Sequence, residues 1–423
     1  MKKVCRTNVR KHRKKFILIS ILTIFVLLIS IRFINPMIWA SKLNLRQLDL
    51  GKPLPDEFRI EKQLLIDDNG YFCINVLFNG KEIRQLIIDT QATCLARIDT
   101  LEKLGARYWD SYPINVRNLY GQKEKLPVYE LESMSIDQLS FPKPLIKGFS
   151  ENNAIYQLLY KEVLGKDMLQ HLVWKFDLDD DKLILFSNKN ESLLNSESRD
   201  YQLIEDGLSK KTISLSFPAI TTDAYFTLDL GYQGEISIDK KLFKELSKNN
   251  IPLKCLNFNT DNTVDTTYVF NNIDVCWGNI TIEKCNLYHY PISNLNQIGA
   301  GFMKYFNFIL AYPNFDKRRK KELYIKSKST DKYINQNLGF LASGFGVKYT
   351  NDELTISTIV QGSSAEKTGL KFKDRIIEID NGSFEINEYT VSSGQIYKYL
   401  SQQKSVLLKI KRGEEIKSFN IIF

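Results

Sequence analysis

The 423-residue chain holds only three histidines. They are scattered at His12, His171 and His289, so no pair stands at metal-ligand spacing. No HExxH, CxxC, P-loop or nucleophile-elbow pattern occurs, which removes the zinc-protease, dithiol, phosphate-loop and serine-hydrolase readings. The six cysteines show no metal spacing either. Cys5 lies in the basic tail, and an odd number remains, Cys73, Cys94, Cys255, Cys276 and Cys285. That argues against a full disulfide framework and favours buried free thiols, with a Cys276–Cys285 bridge as the alternative. Acid is missing from residues 1–34, which carry nine Lys/Arg; 58 − 9 leaves 49 basic residues against 49 acids. The net charge of +9 is therefore local, and no nucleic-acid surface is indicated. The 43% hydrophobic and 25% charged composition is ordinary for folded protein, and the length allows two or three domains. The 21 Tyr and 25 Phe read as β core and cleft walls.

One long apolar run is present, at residues 16–31, behind the basic stretch 1–15. It is near the lower length limit for a spanning helix. The long basic flank and the lack of a clear small-residue cleavage site favour a retained anchor over a removed signal. Ile38-Trp39-Ala40 keeps cleavage open as the alternative. Either way the basic side stays cytoplasmic and the rest is exported, to the periplasmic or extracellular side.

The rest of the chain is organised around a stretch that occurs twice. Residues 85–88 form a short apolar strand running into Asp89-Thr90-Gln91-Ala92. Ten residues past Asp89, Asp99 opens an amphipathic helix as its N-cap, with Glu102 completing a capping box and Gly105 as the stop. In the second copy Phe226-Thr227-Leu228 leads into Asp229-Leu230-Gly231, and Asp239 caps the following helix. Each copy continues to an apolar-Gly pair, Leu164-Gly165 and Ile298-Gly299. We read this order as an internal duplication. Around it the pattern is β: a hairpin at 71–78 and 83–88 about Asn79-Gly80, strands at 128–136, 173–176 and 183–186, and a second β region from 213 to 325. Residues 41–63 read as an extended lead-in, and 188–200 and 326–337 as polar linkers.

An acid just off a buried strand end is costly unless it is paired, hydrogen-bonded or does chemistry. Two small β lobes can bring two such acids together about a pseudo-twofold axis. Like charges at close range do not both ionise easily, so one carboxyl keeps a proton. Such a pair activates a water as base and protonates a carbonyl as acid, without metal or cofactor. The two acidic loops and their apolar-Gly partners resemble those of retropepsin-like aspartic proteases of the pepsin/retropepsin superfamily, over residues 64–187 and 211–325. The resemblance implies an acid-protease β fold, Asp89 and Asp229 as catalytic dyad, Thr90, Gln91, Ala92, Leu230 and Gly231 as active-site loops, and Leu164, Gly165, Ile298 and Gly299 as loop supports. It also implies a flap, for which Tyr120-Gly121 is the candidate. Two positions depart from the family pattern. Gln91 stands where Gly is expected, with the prospect of crowding the cleft. Leu230 stands where a Thr/Ser hydroxyl normally braces the two loops crosswise.

Beyond residue 338 the sequence reads as a separate unit of about ninety residues, within the usual range for a domain. Strands are expected at 345–347 and 354–359, a turn and short helix at 361–370, a strand at 374–382 and a helix near 393–400. Gly369-Leu370, Asp374, Ile376 and Ile379 match a segment of bacterial PDZ domains, which this unit resembles. The resemblance implies capture of an extended peptide C-terminus, with Ser343, Gly344, Phe345 and Gly346 beginning the binding strand; the alternative is a unit that only packs on the catalytic part. The expected architecture is thus mainly β: tail and anchor at 1–40, lobe 1 at 41–190, lobe 2 at 200–328 and the PDZ-like unit at 338–423. The expected function is an exported, membrane-anchored aspartic endopeptidase acting on polypeptide. The alternatives are a degenerate pseudoprotease that binds peptides or an envelope partner, and a purely structural β-protein.

Overall fold

The computed structural model describes residues 46–47, 49–117, 123–150, 161–220, 223–258, 263–293, 295–312, 321–330, 341, 343–350, 353–382 and 393–423. Among them no helix is long and apolar enough to cross a membrane. The apolar run at 16–31 and the flap candidate Tyr120-Gly121 lie outside the described residues.

The fold is mainly β. The first lobe begins with β1 (Arg59–Gln63) and β2 (Leu65–Ile66), then a hairpin of β3 (Phe72–Phe78) and β4 (Glu82–Ile88). Asn79 and Gly80 turn that hairpin with φ of 50° and 64°, and Lys81 N donates to Phe78 O at 2.9 Å. This is the left-handed pair that Asn-Gly adopts most cheaply. β4 alternates in burial up to Gln85 and is then continuously buried through Leu86, Ile87 and Ile88. It earns that burial by lying inside a sheet, between β3 and a parallel neighbour. Next come β5 (Leu95–Arg97), α1 (Ile98–Lys103), β6 (Arg107–Arg117), β7 (Lys123–Glu130), β8 (Ser133–Ile136), β9 (Leu139–Pro142) and β10 (Leu145–Phe149). β11 (Val163–Leu164), α2 (Lys166–Leu169), β12 (Leu172–Asp177) and β13 (Lys182–Ser187) complete the lobe.

Three expectations are corrected here. The strand expected at 128–136 is two strands, because β7 pairs with β6 and β10 while β8 pairs with β3 and β9. Asp99 does not cap α1: Arg97 is the N-cap, and it holds the Asp99 carboxylate at 2.9 and 2.6 Å. The polar stretch 188–200 contains α3 (Glu191–Glu197), capped by Asn190, whose side chain accepts from Leu193 N.

The second lobe repeats the first. After β14 (Gln202–Ile204) come β15 (Ile213–Leu215), β16 (Ala224–Asp229), β17 (Ile236–Ser237) and α4 (Lys240–Leu246). β18 (Leu253–Phe258), β19 (Val264–Trp277), β20 (Ile280–His289), β21 (Gln297–Gly299), α5 (Ala300–Met303), β22 (Phe306–Ala311) and β23 (Glu322–Ser327) follow. Here Asp239 does cap the helix, accepting from Leu242 N at 2.9 Å. The pairings are equivalent: β11 runs parallel to β4 and antiparallel to β5, and β21 runs parallel to β16 and antiparallel to β17.

A six-stranded sheet, β1-β13-β12-β22-β23-β14, ties the lobes together. Its central pair, β12 and β22, comes from different lobes, with Trp174 opposite Leu310 and Phe176 opposite Phe308. Phe176 and Phe308 stack at 4.3 Å, and Phe72 meets both edge-on at 5.3 and 5.5 Å. One hydrophobic core therefore spans both lobes.

The C-terminal unit consists of β24 (Phe345–Thr350), β25 (Glu353–Val360), α6 (Ser364–Lys367), β26 (Arg375–Ile379), α7 (Ser393–Leu400), β27 (Ser405–Arg412) and β28 (Glu415–Ile422). It has its own core, including Phe345, Ile356, Ile379, Ile396 and Leu408. β25 also pairs antiparallel with β18 of the second lobe, Cys255 opposite Val360, so one sheet runs through both units. Cys73, Cys94, Cys255 and Cys285 are buried free thiols, and Cys276 is a half-buried one.

Candidate active site

Both acids sit where a buried strand ends. Asp89 follows β4 and Asp229 closes β16, each 7% exposed. Each strand is held in place by the parallel strand bearing the apolar-Gly pair. Leu164 pairs with Ile88, and Leu164 O accepts from Asp89 N at 3.0 Å; Ile298 pairs with Leu228 and Gly299 with Asp229. The glycines are required by space. A Cβ on Gly165 would fall 2.2 Å from the carbonyl carbon of Thr93, and one on Gly299 2.1 Å from the carbonyl oxygen of Gly234. In each copy the supporting Gly thus lets a strand lie against the loop that follows the acid. The structure places Leu164, Gly165, Ile298 and Gly299 beneath the two loops.

The loops meet across the lobe seam. A Cβ on Gly231 would lie 2.1 Å from Asp89 Oδ2, so the Asp89 carboxylate rests directly against the second loop. Asp89 Oδ1 accepts from Gln91 N at 2.7 Å and from Ala92 N at 2.8 Å. Asp229 Oδ1 accepts from Gly231 N at 3.1 Å, and its Oδ2 accepts from Gln297 Nε2 at 2.5 Å. Thr90 Oγ1 donates to Leu228 O at 2.9 Å and accepts from Leu230 N at 3.2 Å, one half of a crosswise brace. Leu230 cannot return it; its side chain is fully buried in the shared core.

Gln91 differs from expectation. It keeps a negative φ, so glycine's backbone freedom is not called on. Its side chain turns to the seam, where Nε2 donates to Leu228 O at 2.8 Å. It thereby adds a second bond from lobe 1 to the carbonyl that Thr90 already holds.

Burial pushes the Asp89 carboxyl above the usual range, against the pull of the Ala92 and Gln91 amides and of the Lys166 charge. Burial pushes Asp229 well above it, and the neighbouring charge of Asp89 adds to this. Two tyrosines feel the same charges. Tyr71 is raised by burial, by Asp67 and by both Asp229 and Asp89; Tyr312 is raised by burial and by Asp89. The Tyr312 hydroxyl has no hydrogen-bond partner among the described residues. Among those residues no group of three or more His, Cys, Asp or Glu is placed to hold a metal ion. His171 bonds Gln47 O at 2.9 Å, and His289 bonds Ile238 O at 3.0 Å and stacks on Phe243.

Gln297 is not singled out by the sequence reading. The signal that finds it is the difference between the copies: the residue before the apolar-Gly pair is Val163 in lobe 1 and Gln297 in lobe 2.

No known protein-family profile matches the chain, and no curated protein matches it. Among solved structures it is similar to a retropepsin-like aspartic protease from Rickettsia conorii. That similarity has 22% identity and a TM-score of 0.23, and covers 31% of this chain and 93% of that one.

The candidate peptide-binding residues lie together at the start of β24. Gly344 has a φ of 75°, and a Cβ there would fall 2.4 Å from Ser363 Cβ. Ser343 Oγ donates to Phe345 O at 3.1 Å, and Gly344 O accepts from Val360 N at 2.9 Å. The Phe345 side chain is in the core, which leaves only backbone for a ligand at that position. β24 pairs with β25 alone among the described strands. Its Val347 N–H donates to the Tyr397 hydroxyl at 2.9 Å, and that hydroxyl lies 3.3 Å from Val347 O.

Tyr397 belongs to α7, whose first turn docks on the turn between β2 and β3 of lobe 1. Gly394 N donates to Asn69 Oδ1 at 3.0 Å and Gln395 Nε2 to Asp68 Oδ2 at 2.8 Å, while Asn69 O accepts from Gln233 Nε2 at 2.5 Å. Asn69 thus links lobe 1, the loop after Asp229 and the C-terminal unit.

Proposed function

We propose that the chain is an aspartic-type endopeptidase whose two lobes supply one catalytic acid each, Asp89 and Asp229. The observation that carries this reading is the seating of the Asp89 carboxylate against Gly231, in a loop equivalent to its own. Asp89, whose two loop amides are joined by the charge of Lys166, is the partner suited to ionise. Asp229, raised by burial and by the charge of Asp89, is assigned the proton of the pair. In the reaction a water attacks the peptide carbonyl carbon as Asp89 takes its proton, and Asp229 gives its proton to the carbonyl oxygen. In the collapse of the diol, Asp89 passes its proton to the leaving nitrogen, the C–N bond breaks, and a diol hydroxyl returns its proton to Asp229. Both carboxyls end as they began.

The test is hydrolysis of an unstructured protein by the full chain, with Asp89→Asn and Asp229→Asn as controls. Cleavage that ceases in both supports the dyad; cleavage that survives both refutes it.

A second reading is favoured by Leu230, which removes half of the crosswise brace. In it the cleft binds peptide or an envelope partner without cutting. Leu230→Thr combined with Gln91→Gly separates the two: cleavage seen only in the restored protein supports binding, and cleavage by the natural protein dismisses it. We assign the C-terminal unit as a PDZ-like peptide-binding module acting through β24, and residues 16–31 as an anchor that leaves the folded part outside the cytoplasm. Retention of the exported chain in the membrane fraction after alkaline extraction supports the anchor; release argues for cleavage.

A further inference from the structure

The two acidic loops are near copies, so the places where they treat their acids differently are informative. In lobe 1 the loop gives Asp89 two backbone donors, from Gln91 and Ala92. In lobe 2 the residue matching Ala92 is Tyr232, whose N–H donates instead to the main-chain oxygen of Asp229 at 3.0 Å. Asp229 is left with one loop amide, that of Gly231. The second donor comes from outside the loop, from Gln297 Nε2 on Oδ2. Gln297 is 7% exposed, and its backbone is paired on both sides, with Thr227 on β16 and Ser237 on β17. Its amide is therefore delivered from a fixed platform. The lobe 1 counterpart, Val163, has no donor to offer Asp89 and needs none.

We propose that Gln297 is a positioning residue of the dyad, replacing the amide that the second loop withdraws and fixing the plane and proton affinity of the Asp229 carboxyl. This rests on the endopeptidase reading above. A donor on a carboxylate oxygen favours the ionised form, and so opposes burial and the charge of Asp89. It keeps Asp229 acidic enough to give its proton to the substrate carbonyl. The groups that also face the pair are Tyr71 ahead of β3, Lys166 at the start of α2 and Tyr312 after β22. Of these, the Tyr312 hydroxyl has no hydrogen-bond partner among the described residues.

The experiment compares the full chain with Gln297→Leu, which keeps the bulk and removes the donor, and with Gln297→Asn, which keeps the amide on a shorter arm. Two readouts are taken. One is the pH profile of turnover on an unstructured protein. The other is the carboxyl-carbon titration of protein labelled with ¹³C in aspartate, assigned by Asp89→Asn and Asp229→Asn. For Gln297→Leu we expect kcat to fall about tenfold with KM nearly unchanged, and the alkaline limb and the Asp229 titration to move up by about one pH unit. Gln297→Asn falls between, and serves alone if the Leu variant does not fold. An unmoved titration with an unmoved limb overturns the proposal, whatever happens to thermal stability. If the wild-type chain cleaves nothing, the endopeptidase reading fails. The titration then decides the role of Gln297 by itself, a shift supporting it and no shift refuting it.

Discussion

Thr90 and Leu230 occupy equivalent places in the two loops and do opposite things. Thr90 spends its hydroxyl on the opposite lobe, and Leu230 spends its side chain on the core. The brace is therefore one-sided, with Gln91 adding a second bond to the same carbonyl. Thr90→Val keeps the volume but leaves Leu230 N without its oxygen in a buried seam, which costs about 2 kcal/mol. Urea unfolding should show that loss; a midpoint equal to the wild type would mean that the seam is held by packing alone. Gln91→Gly removes a half-buried bond to an acceptor that Thr90 still occupies, and should cost less, about 1 kcal/mol. At this scale the sequence was legible in the repeated acids and in the Thr90/Leu230 contrast. The path of the Gln91 side chain was not, because it depends on a carbonyl 137 residues away.

The elements that matter most to the site are the short strands β11 and β21, whose glycines admit the loops. Gly165→Ala and Gly299→Ala each place a methyl about 2 Å from immobile backbone. Each is expected to cost about 3 kcal/mol, read as a fall in the thermal midpoint. Wild-type stability in either would mean that the loops stand off more than the structure shows.

β17 opens one residue after a buried acid, Glu235. Burial pushes Glu235 from 4.5 up to about 7, although it accepts from Asn286 N and from the Tyr305 hydroxyl at 3.1 Å. The folded-state value is raised, so folding favours the protonated carboxyl. The associated stability is full below about pH 4.5 and is lost as pH rises through about 7. The loss is about 3 kcal/mol. Glu235→Gln should flatten the stability curve across that window in urea titrations at several pH values; an unchanged slope would place the charge elsewhere. The capped helix after Asp229 was readable from Asp239. Its partner after Asp89 departs from that pattern, because Arg97 claims the carboxylate that local pattern assigns to the cap.

The whole molecule is joined in two ways that no local pattern announces. The six-stranded sheet pairs strands from different lobes, and the C-terminal unit is bound through β18–β25 and through α7 on Asn69. The duplication allowed two lobes to be expected, whereas the contact from Asn69 to Gly394 spans 325 residues and is purely tertiary. A Cβ on Gly394 would fall 1.7 Å from Asp68 O, so Gly394→Val should lift α7 off lobe 1. Faster amide exchange over 393–400, with β27 and β28 unchanged, would register that undocking; unchanged exchange throughout would show that β18–β25 alone holds the unit.

The central claim is that one acid from each lobe works as a single unit. It is tested most directly by the turnover of Asp89→Asn, Asp229→Asn and the double variant on one unstructured substrate. Groups that act as a unit are not additive. The account expects each single change to fall to the same floor as the double. A single variant that keeps wild-type turnover, or a double that falls by the product of the two single effects, would contradict it.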